Sequence, residues 1–133
     1  MSVCGQDFID FAEKCVSFKD EIGFRNAIGR AYYGVYHEIC DKLEHCLVLD
    51  SHQGVRDYLM NGAECKNEPF DKMKLRSIGA ILQQMHTKRK WADYELNRTM
   101  NQPDAESAII SAKKAMGKIK DMYEETYPPK PAA

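Results

Sequence analysis

Apolar side chains recur every three or four residues along most of this chain, and no segment alternates convincingly between apolar and polar side chains. The spacing predicts helices over residues 6–18, 24–46, 51–61 and 70–94, and a last helix that enters at residues 101–103 and ends before Pro128. We therefore expect an all-α fold, a single up-and-down bundle of four to five helices.

The chain length leaves room for one hydrophobic core. With 133 residues and a formal net charge of -1, the chain fits one compact domain better than two. Residues 1–127 are expected to form a helical domain. Residues 128–133 follow as a flexible C-terminal tail, because its prolines cannot continue a helix and it has nothing to bury.

Composition and short motifs exclude several classes of protein. No apolar run approaches the roughly 20 residues that span a bilayer, which predicts a cytoplasmic protein without a membrane partner. The five cysteines lack a Cys-x-x-Cys pair and are expected to be reduced. Metal ligands are not expected either, because the cluster around His37, Cys40 and His45 has no second cluster to complete a tetrahedral site. We predict no cofactor.

Two glycines interrupt the long second helical segment. Gly normally costs a helix interior up to about 1 kcal/mol relative to Ala. Gly29 and Gly34 therefore predict the close approach of another backbone to this helix.

Four segments carry a resemblance to a known family, and the last of them, PDAESAIISAKKAMGKI, is similar to its alanine-rich final helix. The stretch RNAIGRAYYGVYHEIC resembles the Arg-Ala-Tyr-Tyr helix of HEPN domains (higher eukaryotes and prokaryotes nucleotide-binding), particularly the small stand-alone prokaryotic ones. SHQGVRDYL is similar to their short third element, and LQQMHTKRKWADYEL is similar to their helix that ends in Arg followed by Ala-Asp-Tyr. The resemblance implies a helical bundle that usually dimerises. Active members are metal-independent ribonucleases, marked by Arg, four to six residues, and His.

Arg30 and His37 satisfy that ribonuclease spacing. They lie nearly on one helix face but about 10 Å apart along the axis, so a symmetric dimer could bring one copy's Arg30 near the other's His37. His37 would move the proton of a ribose 2′-hydroxyl, and Arg30 would hold the phosphoryl charge. Two other arginines do not complete the ribonuclease motif. No histidine follows Arg89 within four to six residues, and Arg30 occupies the position at which a motif that begins at Arg25 would need His. This degenerate pattern favours binding without cleavage.

Other residues are predicted to bind ligand or a second copy of the chain. Consecutive helix positions point about 100° apart, so three tyrosines between residues 32 and 36 cannot all face one core. Tyr33 and Tyr36 are predicted at a homodimer interface. The predicted RNA- or nucleotide-binding residues lie in the two segments that resemble HEPN motifs: Arg25, Asn26, Lys88, Arg89, Lys90, Asp93 and Tyr94.

The leading functional prediction is a dimeric HEPN-like module that binds RNA or nucleotides in a prokaryotic toxin–antitoxin or defence system. One alternative is a metal-independent endoribonuclease toxin that uses Arg30 and His37. Another is a non-catalytic adaptor that binds other proteins. The resemblance also implies a nucleotidyltransferase as a partner, because stand-alone HEPN proteins are often encoded beside one.

Overall fold

The computed structural model describes residues 2–131, and that part of the chain forms five helices and no strand. The prediction of an all-α helical bundle is confirmed. The helices are α1 (Gly5–Ser17), α2 (Glu21–Lys42), α3 (His52–Met60), α4 (Lys72–Tyr94) and α5 (Gln102–Thr126).

Side-chain caps determine where most helices begin. The carboxylate of Asp20 accepts from the Gly23 amide at 2.8 Å, so α2 begins three residues before the predicted start. The Ser51 hydroxyl caps α3 as predicted, and Asp71 caps α4. At α5, Asn101 and Asp104 cap each other's amides. Each cap satisfies amides that have no partner within the helix.

The second helix is the centre of the bundle. It packs against α1, α4 and α5, and its apolar stripe is almost completely buried. The small Ala27 and Ala31 let neighbouring helices approach, while Ile28, Val35 and Ile39 fill the core. The polar side chains of α2 lie outside this apolar stripe, either beside a neighbouring helix or in solvent.

The two glycines of α2 have different surroundings. A Cβ on Gly34 would lie 2.8 Å from the carbonyl oxygen of Gly5, so the close backbone approach predicted there is confirmed, with α1 as the neighbour. A Cβ on Gly29 would meet only the carboxylate of Asp93, at 3.4 Å. The predicted backbone approach is wrong at Gly29, where the neighbour is a side chain of α4.

One buried carboxylate joins the two loops that flank α3. Glu68 is only 3% exposed and accepts hydrogen bonds from the amides of Glu44 at 2.9 Å and His45 at 2.8 Å. It also accepts from the Tyr58 hydroxyl at 2.7 Å. These bonds support a turn after Lys42, which is why α2 does not continue to residue 46 as predicted. The Tyr58 bond ties the same carboxylate to α3.

Residues 128–131 are exposed and not helical, while the last two residues of the predicted flexible tail, 132–133, lie outside the described residues, as does Met1. Among the described helices, none combines the length and the apolar character that a membrane span requires.

Candidate functional site

Aromatic and basic side chains meet where α2, α3 and α4 converge. We call this place the junction site. The helices contribute in turn from the middle of α2, from the first turns of α3 and from the second half of α4. Its members are Tyr32, Tyr33, Tyr36, His37, His52, Arg56, His86 and Arg89.

His52 is held in one orientation by two tyrosines of α2. Its Nδ1 hydrogen-bonds to the Tyr32 hydroxyl at 2.8 Å, and its ring stacks on Tyr36 with 3.9 Å between centroids. Tyr32 is completely buried, whereas His52 is partly exposed. The ring edge that carries Nε2 therefore faces away from the buried tyrosine.

Tyr36 does not lie at a dimer interface as predicted. Its ring is only 6% exposed, and its hydroxyl donates to the carbonyl of Leu49 at 2.5 Å. The reason is that the α2–α3 loop folds back over this face of α2 and covers the ring. Of the two predicted interface tyrosines, Tyr33 keeps a partly exposed ring.

Arg56 is a buried cation without a counter-ion. It is 7% exposed, its Nε donates to the side-chain oxygen of Gln83 at 2.9 Å, and its buried Nη1 has no hydrogen-bond partner. Within residues 2–131, no carboxylate forms an ion pair with it. A buried cation in this state is costly, and most buried polar atoms of native proteins do find a partner.

The surroundings of the two partly buried histidines are positively charged. Burial, followed by the charges of Arg56, Lys90, Arg89 and His52 in that order, lowers the pKa of His86 to about 4. Burial likewise lowers the pKa of His52, followed by the charges of Arg89 and Arg56. Both imidazoles are therefore neutral at pH 7, in a field that favours an anion.

Arg89 connects α2 with α4 at the exposed edge of the junction site. Its Nη2 donates to the Tyr33 hydroxyl at 2.8 Å, and its Nε lies 2.8 Å from the carboxylate of Asp93 as an ion pair, not aligned for a hydrogen bond. Its guanidinium carbon also lies 5.6 Å from the ring centroid of Tyr94. A partly exposed cation is thus oriented between two aromatic rings.

The predicted catalytic pair is separated by a tyrosine. The guanidinium of Arg30 lies 4.9 Å from the ring centroid of Tyr33, whose centroid lies 6.1 Å from that of His37 on the other side. His37 is exposed and contacts the ring of Phe8 at 5.1 Å between centroids. Within one copy of the chain, Arg30 and His37 each contact the Tyr33 ring, and no contact joins them directly among the described residues.

Arg25 has a structural role in place of the predicted binding role. It is 5% exposed, and its Nη1 donates to the carbonyls of Ala92 at 2.9 Å and of Trp91 and Glu95 at 3.3 Å each. Its Nε pairs with Glu21 at 2.9 Å. These carbonyls lie at the end of α4, where Trp91 also accepts from the backbone amide of Glu95. Because its donors are engaged there, we leave Arg25 out of the ligand-binding surface.

The other predicted binding residues do not form one strip. Asn26 is exposed and donates to the carbonyl of its own helix at Ile22, at 2.8 Å. Lys88 borders a different cleft, beside Ile28 and Ala108. Lys90 is exposed and close enough to His86 to affect its pKa. Successive positions of α4 point in different directions, so only part of the basic run reaches the junction site.

Three members of the junction site were not predicted from the sequence. His52 and His86 stand alone in the sequence, and Arg56 lies in a short helix without any other basic residue. The four-residue step from His52 to Arg56 was a usable signal, because it places both side chains on one face of α3. What the sequence does not show is that this face meets Tyr32.

Among the described residues, no group of three or more His, Cys, Asp or Glu side chains could hold a metal ion. A comparison of the chain with protein-family models, with curated proteins and with solved structures found no match.

Proposed function

We propose that this chain is a HEPN-like dimeric module that binds RNA or nucleotides at the junction site, in a prokaryotic toxin–antitoxin or defence system. The resemblance of the two motif segments supports the family, and the all-helical fold agrees with it. A nucleotidyltransferase partner is part of the same proposal and rests on the resemblance alone.

The orientation of Arg89 carries the binding proposal. Proteins that bind single-stranded nucleic acid combine cations for the phosphates with aromatic rings on which bases stack. Arg89 offers a guanidinium held by Tyr33 and Asp93, and Tyr94 beside it is 68% exposed. The cation and the rings therefore already stand next to each other before a ligand arrives.

Fluorescence anisotropy with a labelled single-stranded RNA of mixed sequence tests this proposal. We expect affinity that falls as salt rises, and a loss of about tenfold or more in Arg89→Gln at low salt. Lys118→Gln is the matched control, because Lys118 lies beside Lys74 and Asp121, on another face of the bundle. Equal affinity of wild type and Arg89→Gln would contradict the proposal. Failure of the wild type to bind RNA or nucleotides would favour the protein-binding adaptor.

An apolar surface beside Arg30 supports dimerisation. Val3, Phe8 and Phe11 line a shallow groove with Arg30, and Phe11 is 48% exposed. A two-fold axis here would place the Tyr33 edges of two copies near each other. We expect Phe11→Glu to reduce a dimer to monomers in light scattering, while Ile110→Glu on α5, 68% exposed, leaves it intact. A monomeric wild type would remove the dimer from the proposal.

One observation favours cleavage of RNA as a second candidate function. His37 is exposed and lines a second cleft with Phe8 and Asp41, and Phe8 also lines the apolar groove. A dimer through this surface would allow Arg30 of one copy to approach His37 of the other. The test is cleavage of single-stranded RNA in EDTA, with His37→Ala as the comparison. Cleavage that persists in His37→Ala would remove this residue from the proposed chemistry.

A further inference from the structure

We propose that His52, His86 and Arg56 form a binding pocket for a phosphoryl group, in which the phosphoryl oxygens lie against the two imidazoles and the buried guanidinium supplies charge from beneath. The proposal deepens the proposed function, because it names the chemical group that a nucleotide or RNA would place in the junction site. It uses residues that the sequence did not single out.

An unpaired charge lies next to the two histidines. Arg56 is more than nine-tenths buried and has an Nη1 atom with no partner, and its charge lies close enough to lower the pKa values of both His52 and His86. A buried charge is retained at a cost unless something compensates it. An anion at the adjacent rim would supply the missing counter-charge.

Two imidazoles supply donors at the rim. Both lie beside the ring of Tyr32, with centroid distances of 5.7 Å for His52 and 5.6 Å for His86. The Tyr32 bond occupies Nδ1 of His52, and no described residue hydrogen-bonds its Nε2. Both side chains are partly exposed. In the proposed site, a phosphoryl group beside Tyr32 accepts from the free ring nitrogens of both.

The charges around the pocket are mainly positive. Cations of α3 and α4 lie close to the two histidines, and the nearby carboxylates lie at the margins, with Asp93 paired to Arg89 and Asp50 close to Tyr36. A phosphoryl group would raise the pKa of each imidazole and bind more tightly as the pH falls from 7.5 to 5.5. The ionisable groups that lie close to the two histidines are Tyr32, Tyr33, Tyr36, His37, Arg56, Arg89 and Lys90.

The test uses the four histidines of the full chain, observed by NMR of their ring nitrogens. Inorganic phosphate is titrated at pH 7. We expect saturable shifts of His52 and His86 and a rise in their pKa values, with no such change at His45, which is exposed and outside the junction site. Shifts that are absent, or equal at all four rings, would overturn the proposal.

Variants test whether phosphate binding depends on the positive charge at Arg56 or on the basic residues of the chain in general. We expect Arg56→Met to weaken phosphate binding by about tenfold or more, and Arg56→Lys to retain most of it. Arg76→Met is the matched control, because Arg76 is an exposed arginine of α4. Equal binding by Arg56→Met and Arg76→Met would overturn the proposal. If Arg56→Met fails to fold, His86→Gln, at a partly exposed position, takes its place with the same expected loss.

Different ligands identify the source of the phosphoryl group and keep the two proposals distinct. The comparison is between adenosine, adenosine monophosphate, and an RNA oligomer with or without a 5′-phosphate. A response only to ligands with a terminal phosphate would identify a phosphomonoester, and an equal response to both oligomers would identify the internal phosphodiester. RNA binding without a response at His52 and His86 would overturn this inference alone. A response to phosphate without binding of RNA or nucleotide would overturn the proposed function alone.

Discussion

Two arginines are buried against α4, and they differ in what their guanidinium groups contact. Arg25 comes from α2 and donates to the backbone carbonyls at the end of α4, with Glu21 as its ion-pair partner. Arg56 comes from α3, and it has one hydrogen bond to Gln83, an unpartnered Nη1 and no ion pair with any residue between 2 and 131. The first contributes to stability. The second keeps a charge available for a ligand.

The comparison shows that burial alone does not separate a structural arginine from a functional one. Both are less than a tenth exposed, at 5% for Arg25 and 7% for Arg56. The hydrogen-bond and ion-pair partners distinguish the two roles. A guanidinium with all its partners stabilises the fold, whereas one without them raises the free energy of the empty site.

The largest expected effect is at Arg25. In Arg25→Met we expect the free energy of unfolding to fall by about 3 kcal/mol, because several carbonyls at the end of α4 lose their donor. Urea unfolding followed by circular dichroism measures it. Arg76→Met serves as the control and should change stability by less than about 0.5 kcal/mol. A loss of less than about 0.5 kcal/mol in Arg25→Met would contradict the structural role of Arg25.

The next effect is a dependence of stability on pH that comes from His86. Its folded pKa of about 4 lies below its ordinary value of about 6.5, so the unfolded chain binds more protons between these values. Stability from the neutral ring is fully present above pH 6.5 and is lost as pH falls toward 4. For this partly exposed ring the loss is on the order of 1 kcal/mol.

The measurement is the difference between the stability curves of wild type and His86→Gln, since carboxylates elsewhere titrate equally in both. We expect the two curves to run parallel above pH 7 and the wild-type curve to fall more steeply below pH 6.5. Parallel curves down to pH 4 would show that burial and the neighbouring cations do not lower the pKa of His86.

A smaller effect is expected where Arg89 meets Tyr33. Tyr33→Phe removes the acceptor of the 2.8 Å bond and should cost about 1 kcal/mol of stability at this partly exposed site. RNA affinity should also fall, because the guanidinium loses the bond that orients it. If stability falls while RNA affinity is unchanged, the bond is structural, and Arg89 then resembles Arg25 more than Arg56.

The smallest expected change in stability is at Arg56. Without ligand, Arg56→Met should lie within about 1 kcal/mol of wild type, because the methionine fills similar space and removes a buried charge. With saturating phosphate only the wild type should gain stability, measured as a rise in melting temperature. A loss in Arg56→Met as large as that in Arg25→Met would show that both arginines are structural.

Local signals in the sequence were sufficient for the helices and insufficient for the site. The apolar period and caps such as Ser51 predict where helices lie, because both act within a few residues. The end of α2 was missed because it depends on Glu68, 26 positions after Lys42. Arg89, Asp93 and Tyr33 could be predicted as candidates. Which arginine would be satisfied could not, because the carbonyls that Arg25 caps lie more than 60 positions away along the chain.

The Glu68 carboxylate has a consequence for motion in the loops beside the junction site. It ties the loop before α3 to the loop after it, and the Tyr58 hydroxyl joins both to α3. An opening fluctuation that releases Glu68 would therefore free the amides of Glu44 and His45 together. Hydrogen exchange at those two amides would then report how often these loops separate.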